Sequence, residues 1–417
     1  MRHRLLWLFG VLLIGGVTAE WLLKPPLYAN AHAIGMHTVG LLVPFVGSMT
    51  FAVCVGWLGR FGGRDVAAAT ILFGLLCLPF VDLFAAPIVH LDSDDAYRYS
   101  LYAHNIVEHR TLWGSDGLVH DARAYVDQPG YRYWLAATIA LLGGEHRGMQ
   151  LFDMAALLVA SLTLLHALET RVERTWFVAV SGFLLASAPY AAKNVLLGNT
   201  EWLAVTLFML FVWHLVRGRD VTAVMLLALV PFVRQNLLLV SLILVGVIAF
   251  TTRRWWLIAP HTVVLGLPIY HNLYYAGELR FLVTNLGSTA KPAAGPADGL
   301  VAIASVLGSK VLLYLGYHAN EEPLTLAIAM VFAPFGSALA AWLIVRTPGW
   351  RRWLLVAVAV TAIVPTMILG GAYYPRFVYV NLTVILLTGL AFGDRTTAQL
   401  RRTPTASASR STPASGR

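Results

Sequence analysis

Apolar stretches recur from residue 5 to residue 392, separated by short polar clusters rich in Arg, Gly and Pro. A helix needs about 20 mostly apolar residues to cross about 30 Å of hydrocarbon. Twelve stretches are read this way, over roughly 5–23, 34–58, 66–86, 149–168, 176–191, 200–216, 221–233, 236–250, 255–275, 324–345, 353–371 and 376–392. The stretch after Arg219 is short, with Pro231 near its end. Two further apolar pieces, 133–143 and 300–315, would invert everything after them if they spanned. Both are short, and the second carries Ser309 and Lys310, so both are expected to lie as helices in the outer interface. The pattern predicts an all-α, polytopic protein with one transmembrane domain over 1–395. Residues 396–417, rich in Ser, Thr, Pro and Arg, are expected to form a disordered cytoplasmic tail. No internal repeat is evident.

Composition sharpens this expectation. The chain is 58% hydrophobic and only 12% charged, against about 25% charged in soluble domains, which excludes a water-soluble globule and a disordered polymer. The start, MRHRLLWLFGVLLIGG followed by Val17-Thr18-Ala19, resembles a signal peptide. Trp21, Leu22 and Leu23 continue the apolar run past the cleavage-like site, so an uncleaved first span is expected. Cys54 and Cys77 both sit in apolar runs and read as small core residues.

Charge sets the expected orientation. The net charge is +9, and 26 of the 30 basic residues are arginine. With the N-terminus inside, 18 of those 30 fall in cytoplasmic segments, nearly all tight against span ends, while the rest spread over much longer outside segments. The bias predicts an inner (plasma) membrane protein with both termini inside. In such a chain the positive charge anchors loops and gives no ground for a nucleic-acid partner. Two large outer elements follow, residues 87–148 and 276–323. The first holds eight of the 21 acidic residues.

That loop contains His90-Leu-Asp92-Ser-Asp94-Asp95-Ala-Tyr-Arg98, continuing as a helix in which Asp94 lines up with Arg98 and Asp95 with Tyr99 and Tyr102. Acids in a first turn complement the helix dipole. That accounts for one or two carboxylates but not for a third, nor for a cluster that follows a span ending in Asp82. His90, His104, His109 and His120 share the loop without matching a metal signature. No metal ligand is assigned, and a divalent metal requirement stays open. Further on, Asp127-Gln-Pro-Gly-Tyr131-Arg132-Tyr-Trp forms a turn followed by an aromatic run suited to a membrane interface.

The D-x-D-D cluster after an N-terminal group of spans, the helix behind it, the Pro-containing aromatic turn and the short apolar helix ending in Gly-Gly resemble the lipid-dependent glycosyltransferases of the GT-C superfamily. These include the protein O-mannosyltransferases and aminoarabinose transferases. Gly198-Asn199-Thr200-Glu201, Val233-Arg234-Gln235-Asn236 and Tyr373-Tyr374-Pro375-Arg376-Phe377 strengthen the similarity, which runs over most of residues 80–392. Here the acidic loop follows the third span, whereas in the family it usually follows the first. The resemblance implies transfer of a sugar, with inversion, from a polyprenyl-phosphate donor to a hydroxyl acceptor on a glycan, lipid or protein at the outer face.

That chemistry suits the residues. A phosphate leaves readily, but a hydroxyl is too weak an acid to ionise near neutral pH, so a carboxylate general base is the essential group. Guanidinium or ammonium groups then hold the departing phosphate. The base candidates are Asp94, Asp95 and Asp92. The phosphate-binding candidates are Arg234, Arg376, Arg98 and Lys193, and the substrate-binding candidates are Tyr131, Arg132, Glu201 and Tyr374. Plainer readings stand beside these. Arg234 and Arg376 can snorkel to headgroups, Glu201 can be an ordinary first-turn acid, and Lys193 can be an interfacial anchor. No P-loop and no GxGxxG after a strand occurs, which fits a donor delivered in the membrane. Two other functions remain open at this point: a secondary transporter, and a lipid-linked glycan polymerase or ligase.

Overall fold

The computed structural model describes residues 94–109, 130–143, 146–169, 174–266, 308, 311–312, 314–316, 323–368 and 375–392. The three apolar stretches before residue 87, most of the second loop, the 396–417 tail and the candidate residues Asp92 and Tyr374 lie outside the described residues. Within the described residues every regular element is helical and none is a strand. In chain order they are α1 (Asp94–His109), α2 (Gly130–Leu142), α3 (His146–Glu169), α4 (Arg174–Leu196), α5 (Glu201–Val216), α6 (Asp220–Val233), α7 (Leu238–Thr252), α8 (Ile258–Leu265), α9 (Pro323–Arg346), α10 (Trp350–Ile368) and α11 (Pro375–Phe392). Short 3-10 turns, Gln235–Leu237 and Trp255–Leu257, lead into α7 and α8. Four stretches are long and apolar enough to cross a bilayer: His146–Leu165, Gln235–Thr252, Ala327–Arg346 and Pro375–Phe392. The helices of α5, α6 and α8 are apolar but shorter.

Connections of a few residues join α4 to α5, α5 to α6 and α9 to α10, so these pairs run back antiparallel. Helices that are apolar on every side belong at the centre of a bundle. α5 packs against α3, α4, α6 and α11, and α11 packs against α4, α5, α9 and α10. In α11 every residue from Val378 to Phe392 is buried. Around them, large apolar side chains face outward, among them Leu239, Leu242, Phe250, Val331, Val345 and Val360. The described helices thus have an apolar core in the middle and further large apolar side chains on the outside.

The two ends of the bundle differ in chemistry. One end gathers the α5–α6, α7–α8 and α9–α10 connections. It carries Arg217 and Arg219 over the Trp213 ring, and the exposed tryptophans Trp255, Trp256, Trp350 and Trp353. An Arg254–Asp220 ion pair at 2.8 Å bridges two of these turns. It is exposed on the arginine side and contributes about 1 kcal/mol at most. The other end gathers the α4–α5 turn, the α6–α7 break and the start of α11, and holds the candidate site.

Of the 300–315 stretch, the described residues near its end pack along α9. The Tyr314 carbonyl accepts from Ser337 Oγ at 3.0 Å, and its phenol accepts from Asn381 Nδ2 at 2.9 Å. A Cβ on Gly316 would stand 2.5 Å from the Met330 Cα. Ser337 and Met330 are middle turns of α9, well in from Pro323. The reason is polar: Asn381 and Ser337 are buried or half-buried donors on apolar helices and take the tyrosine as their acceptor.

Candidate functional site

Helix α4 stops because Leu197, Gly198 and Asn199 form a capped turn. The Asn199 N–H reaches the Asn194 carbonyl at 3.0 Å and the Gly198 N–H reaches Val195 at 3.0 Å, with Gly198 at a φ of +67°. This 6→1 and 5→2 pair is the Schellman arrangement, for which glycine is the favoured residue. Two residues later α5 begins, and its first residue is Glu201, fully buried. A buried carboxylate without a cation is costly, since removing one member of a buried pair costs about 3–5 kcal/mol. Its partners come from two other elements.

Arg234 supplies the first. Pro231 sits three residues before it, α6 ends at Val233, and Arg234 adopts an extended conformation before the chain re-enters a helix. That break turns the guanidinium to Glu201, with a terminal nitrogen 2.7 Å from Oε1. Arg376, the second residue of α11, supplies the other, its Nε 3.3 Å from the same oxygen. An arginine in a first turn opposes the positive end of the helix dipole, and Glu201 offsets that. Both guanidiniums lie over the Phe377 ring, at 4.9 Å and 5.5 Å. The side chains are 11% and 17% exposed.

Behind the ion cluster runs a polar chain. Arg376 donates to Asn199 Oδ1 at 3.3 Å, Asn199 Nδ2 to Asn194 Oδ1 at 3.0 Å, and Asn194 Nδ2 to the Tyr190 carbonyl at 2.8 Å. Lys193, one residue away, donates to Thr325 Oγ1 on α9. Among the described residues two guanidiniums converge on one largely buried carboxylate, and guanidiniums gathered in this way suit an anion such as a phosphate. Glu201 Oε2 has no hydrogen-bond partner among the described residues.

The acidic loop meets the turn before Glu201 through Ala96. Asp94 and Asp95 open α1 and Arg98 lies one turn further on. Ala96, in that first turn, packs on the α4–α5 turn: a Cβ on Gly198 would stand 3.1 Å from Ala96 Cβ and 3.8 Å from Tyr131 Oη. The N-terminal turn of α1 is thus docked on the segment that carries Asn199 and Glu201. Gly130, at the start of α2, abuts the α6 break, where its Cβ would stand 2.9 Å from the Phe232 carbonyl oxygen.

Of the candidates read from the sequence, Glu201, Arg234 and Arg376 come together directly, while Lys193 bonds Thr325 on α9. Arg132 is buried with its guanidinium 4.6 Å from the Tyr102 ring, linking α2 to α1. Tyr131 is buried, and its hydroxyl donates to Asp153 Oδ2 at 2.9 Å. Burial, with Asp153 alongside, holds this phenol well above its ordinary value, so it stays a donor. Asp153 is the residue the sequence reading missed. It is buried within α3 and also accepts from Trp134 Nε1 at 2.6 Å. The signal was present, because an aspartate within an apolar stretch is itself a functional flag. Trp202, next to Glu201, lies edge-on to both Tyr131 and Trp134, at 6.2 Å and 5.8 Å, and so connects the two clusters. Among the described residues no group of three or more His, Cys, Asp or Glu is placed to hold a metal ion.

Compared with models of known protein families, with curated proteins and with solved structures, the chain matches none.

Proposed function

We propose that this chain is a polytopic membrane glycosyltransferase of GT-C type, moving a sugar from a polyprenyl-phosphate carrier to a hydroxyl acceptor at the outer membrane face. The single observation that carries the proposal is the convergence of Arg234 and Arg376 on buried Glu201, beside the turn on which the first turn of α1 is docked. In this reading the paired guanidiniums hold the carrier phosphate, and Asp94 or Asp95 takes the acceptor proton. Twelve spans, insertion in the inner membrane and both termini inside belong to the same proposal. The large apolar side chains that face outward support insertion. The arginine and tryptophan belt at the opposite end supports that end as the cytoplasmic one. The acceptor, whether glycan, lipid or protein, and any metal requirement belong to the assay.

Purified protein incubated with a panel of radiolabelled polyprenyl-phosphate sugars should transfer one of them. Asp94→Asn or Asp95→Asn should lower the rate by about 10²–10⁴-fold, the usual worth of a general base, while the protein still inserts and folds. Full activity in both variants would exclude the assigned bases.

Asp153 favours a second reading. An ionisable residue buried in a spanning helix is what secondary transporters use for coupling. Uptake of a solute by the protein in vesicles, with no sugar transfer and with loss on Asp153→Asn, would select that reading.

A further inference from the structure

Helix α6 contains a proline three residues before Arg234, and the consequence can be followed atom by atom. Pro231 has no N–H, so the carbonyl four residues earlier, that of Leu227, loses its helical donor. In an apolar bundle such an orphan acceptor must find another partner. The partner comes from α7: Ser241 Oγ donates to the Leu227 carbonyl at 3.0 Å. Ser241 also lies 2.9 Å from His261 Nε2 on α8. A hydroxyl has one hydrogen, and a carbonyl can only accept, so both contacts are made only if His261 carries its proton on Nε2 and donates to Ser241. Ser241 and His261 are both about 1% exposed. The relay is wrapped in its own small apolar cluster of Ala228, Leu238, Val264 and Leu265. On the other side of the same break, Gly130 is pressed against the Phe232 carbonyl.

We infer that the Ser241–His261 pair is a positioning device for Arg234. It captures the carbonyl that Pro231 releases, fixes the middle of α6 to α7 and α8 ahead of the break, and thereby holds Arg234 in the extended conformation that aims it at Glu201. A serine next to a buried histidine would otherwise suggest a nucleophile. Here the serine proton is committed to a backbone carbonyl and no acid stands behind the histidine among the described residues, so the pair is a brace. The positioning role rests on Arg234 facing the phosphate of the proposed ligand. The coupling between Pro231 and Ser241 does not.

Two measurements on the full-length protein separate these layers. In the first, thermal unfolding of Ser241→Ala, Pro231→Ala and the double variant forms a cycle. Ser241→Ala should lower the midpoint of the parent. It should have a smaller effect once Pro231→Ala has returned an N–H to Leu227, the remainder coming from the His261 donor, and equal losses in both backgrounds would overturn the relay. In the second, binding of a polyprenyl phosphate in detergent micelles is measured. Ser241→Ala and His261→Leu should each weaken it by about fivefold. His261→Gln, which keeps a donor at the same reach, should recover most of it, and Ser241→Ala should add nothing to Arg234→Ala. Unchanged phosphate affinity in a destabilised Ser241→Ala protein would overturn the positioning role. No effect of Arg234→Ala itself would overturn the phosphate reading while leaving the thermal cycle to decide the relay.

Discussion

Glu201 concentrates the energetics of the candidate site in one side chain. Its Oε1 faces two guanidiniums in a largely buried setting, so Glu201→Ala removes the counter-charge from both. Destabilisation of about 3–5 kcal/mol is expected, read as a lower thermal midpoint. Glu201→Gln, which keeps the shape and one acceptor, should cost clearly less. Equal losses would mean the charge is immaterial there. Glycine contacts give a second prediction at this scale. Gly130→Ala places a methyl group 2.9 Å from the backbone oxygen of Phe232, and such overpacking costs about 1–3 kcal/mol. Gly246→Ala, within α7 and with nothing near its Cβ, should be neutral or stabilising by up to about 1 kcal/mol. Matching thermal shifts in the two variants would contradict the close α2–α6 approach.

At the scale of elements, Asp153 ties α2 to α3. Asp153→Ala orphans the Tyr131 hydroxyl and the Trp134 indole N–H together, each worth about 1–3 kcal/mol when left buried and unpaired. Hydrogen exchange should therefore rise in α2 while α5 and α11 stay protected. Uniform protection across all helices would remove the tie from the account. Much of this level was legible in the sequence. The stretches read as 149–168, 200–216, 221–233, 324–345 and 376–392 correspond to α3, α5, α6, α9 and α11, because apolar length and the Gly, Pro and Arg residues between runs mark helix ends directly. What hydrophobicity could not show was depth and side-chain partnership. Counting acids by loop hid Asp153, which lies inside a run. The bonds of Tyr314 to Ser337 on α9 and Asn381 on α11 leave no mark in the hydropathy pattern. Glu201, plausible as a plain first-turn acid, gains its partners only when α6 and α11 fold against α5.

The described helices present large apolar side chains outward between unlike ends, and the proposed orientation makes a labelling prediction. In intact cells an impermeant thiol reagent should modify Gln235→Cys, at the α6–α7 break, and spare Arg219→Cys until the membrane is permeabilised. The reverse pattern would invert the topology.

The Arg234–Arg376 pair is the proposed seat of the anionic carrier. Affinity for a polyprenyl phosphate, measured on folded Arg234→Gln, Arg376→Gln and the parent protein, tests this most directly. Each substitution should weaken binding roughly 10- to 100-fold, the worth of a hydrogen bond to a charged group. Affinity equal to that of the parent in both variants would contradict it.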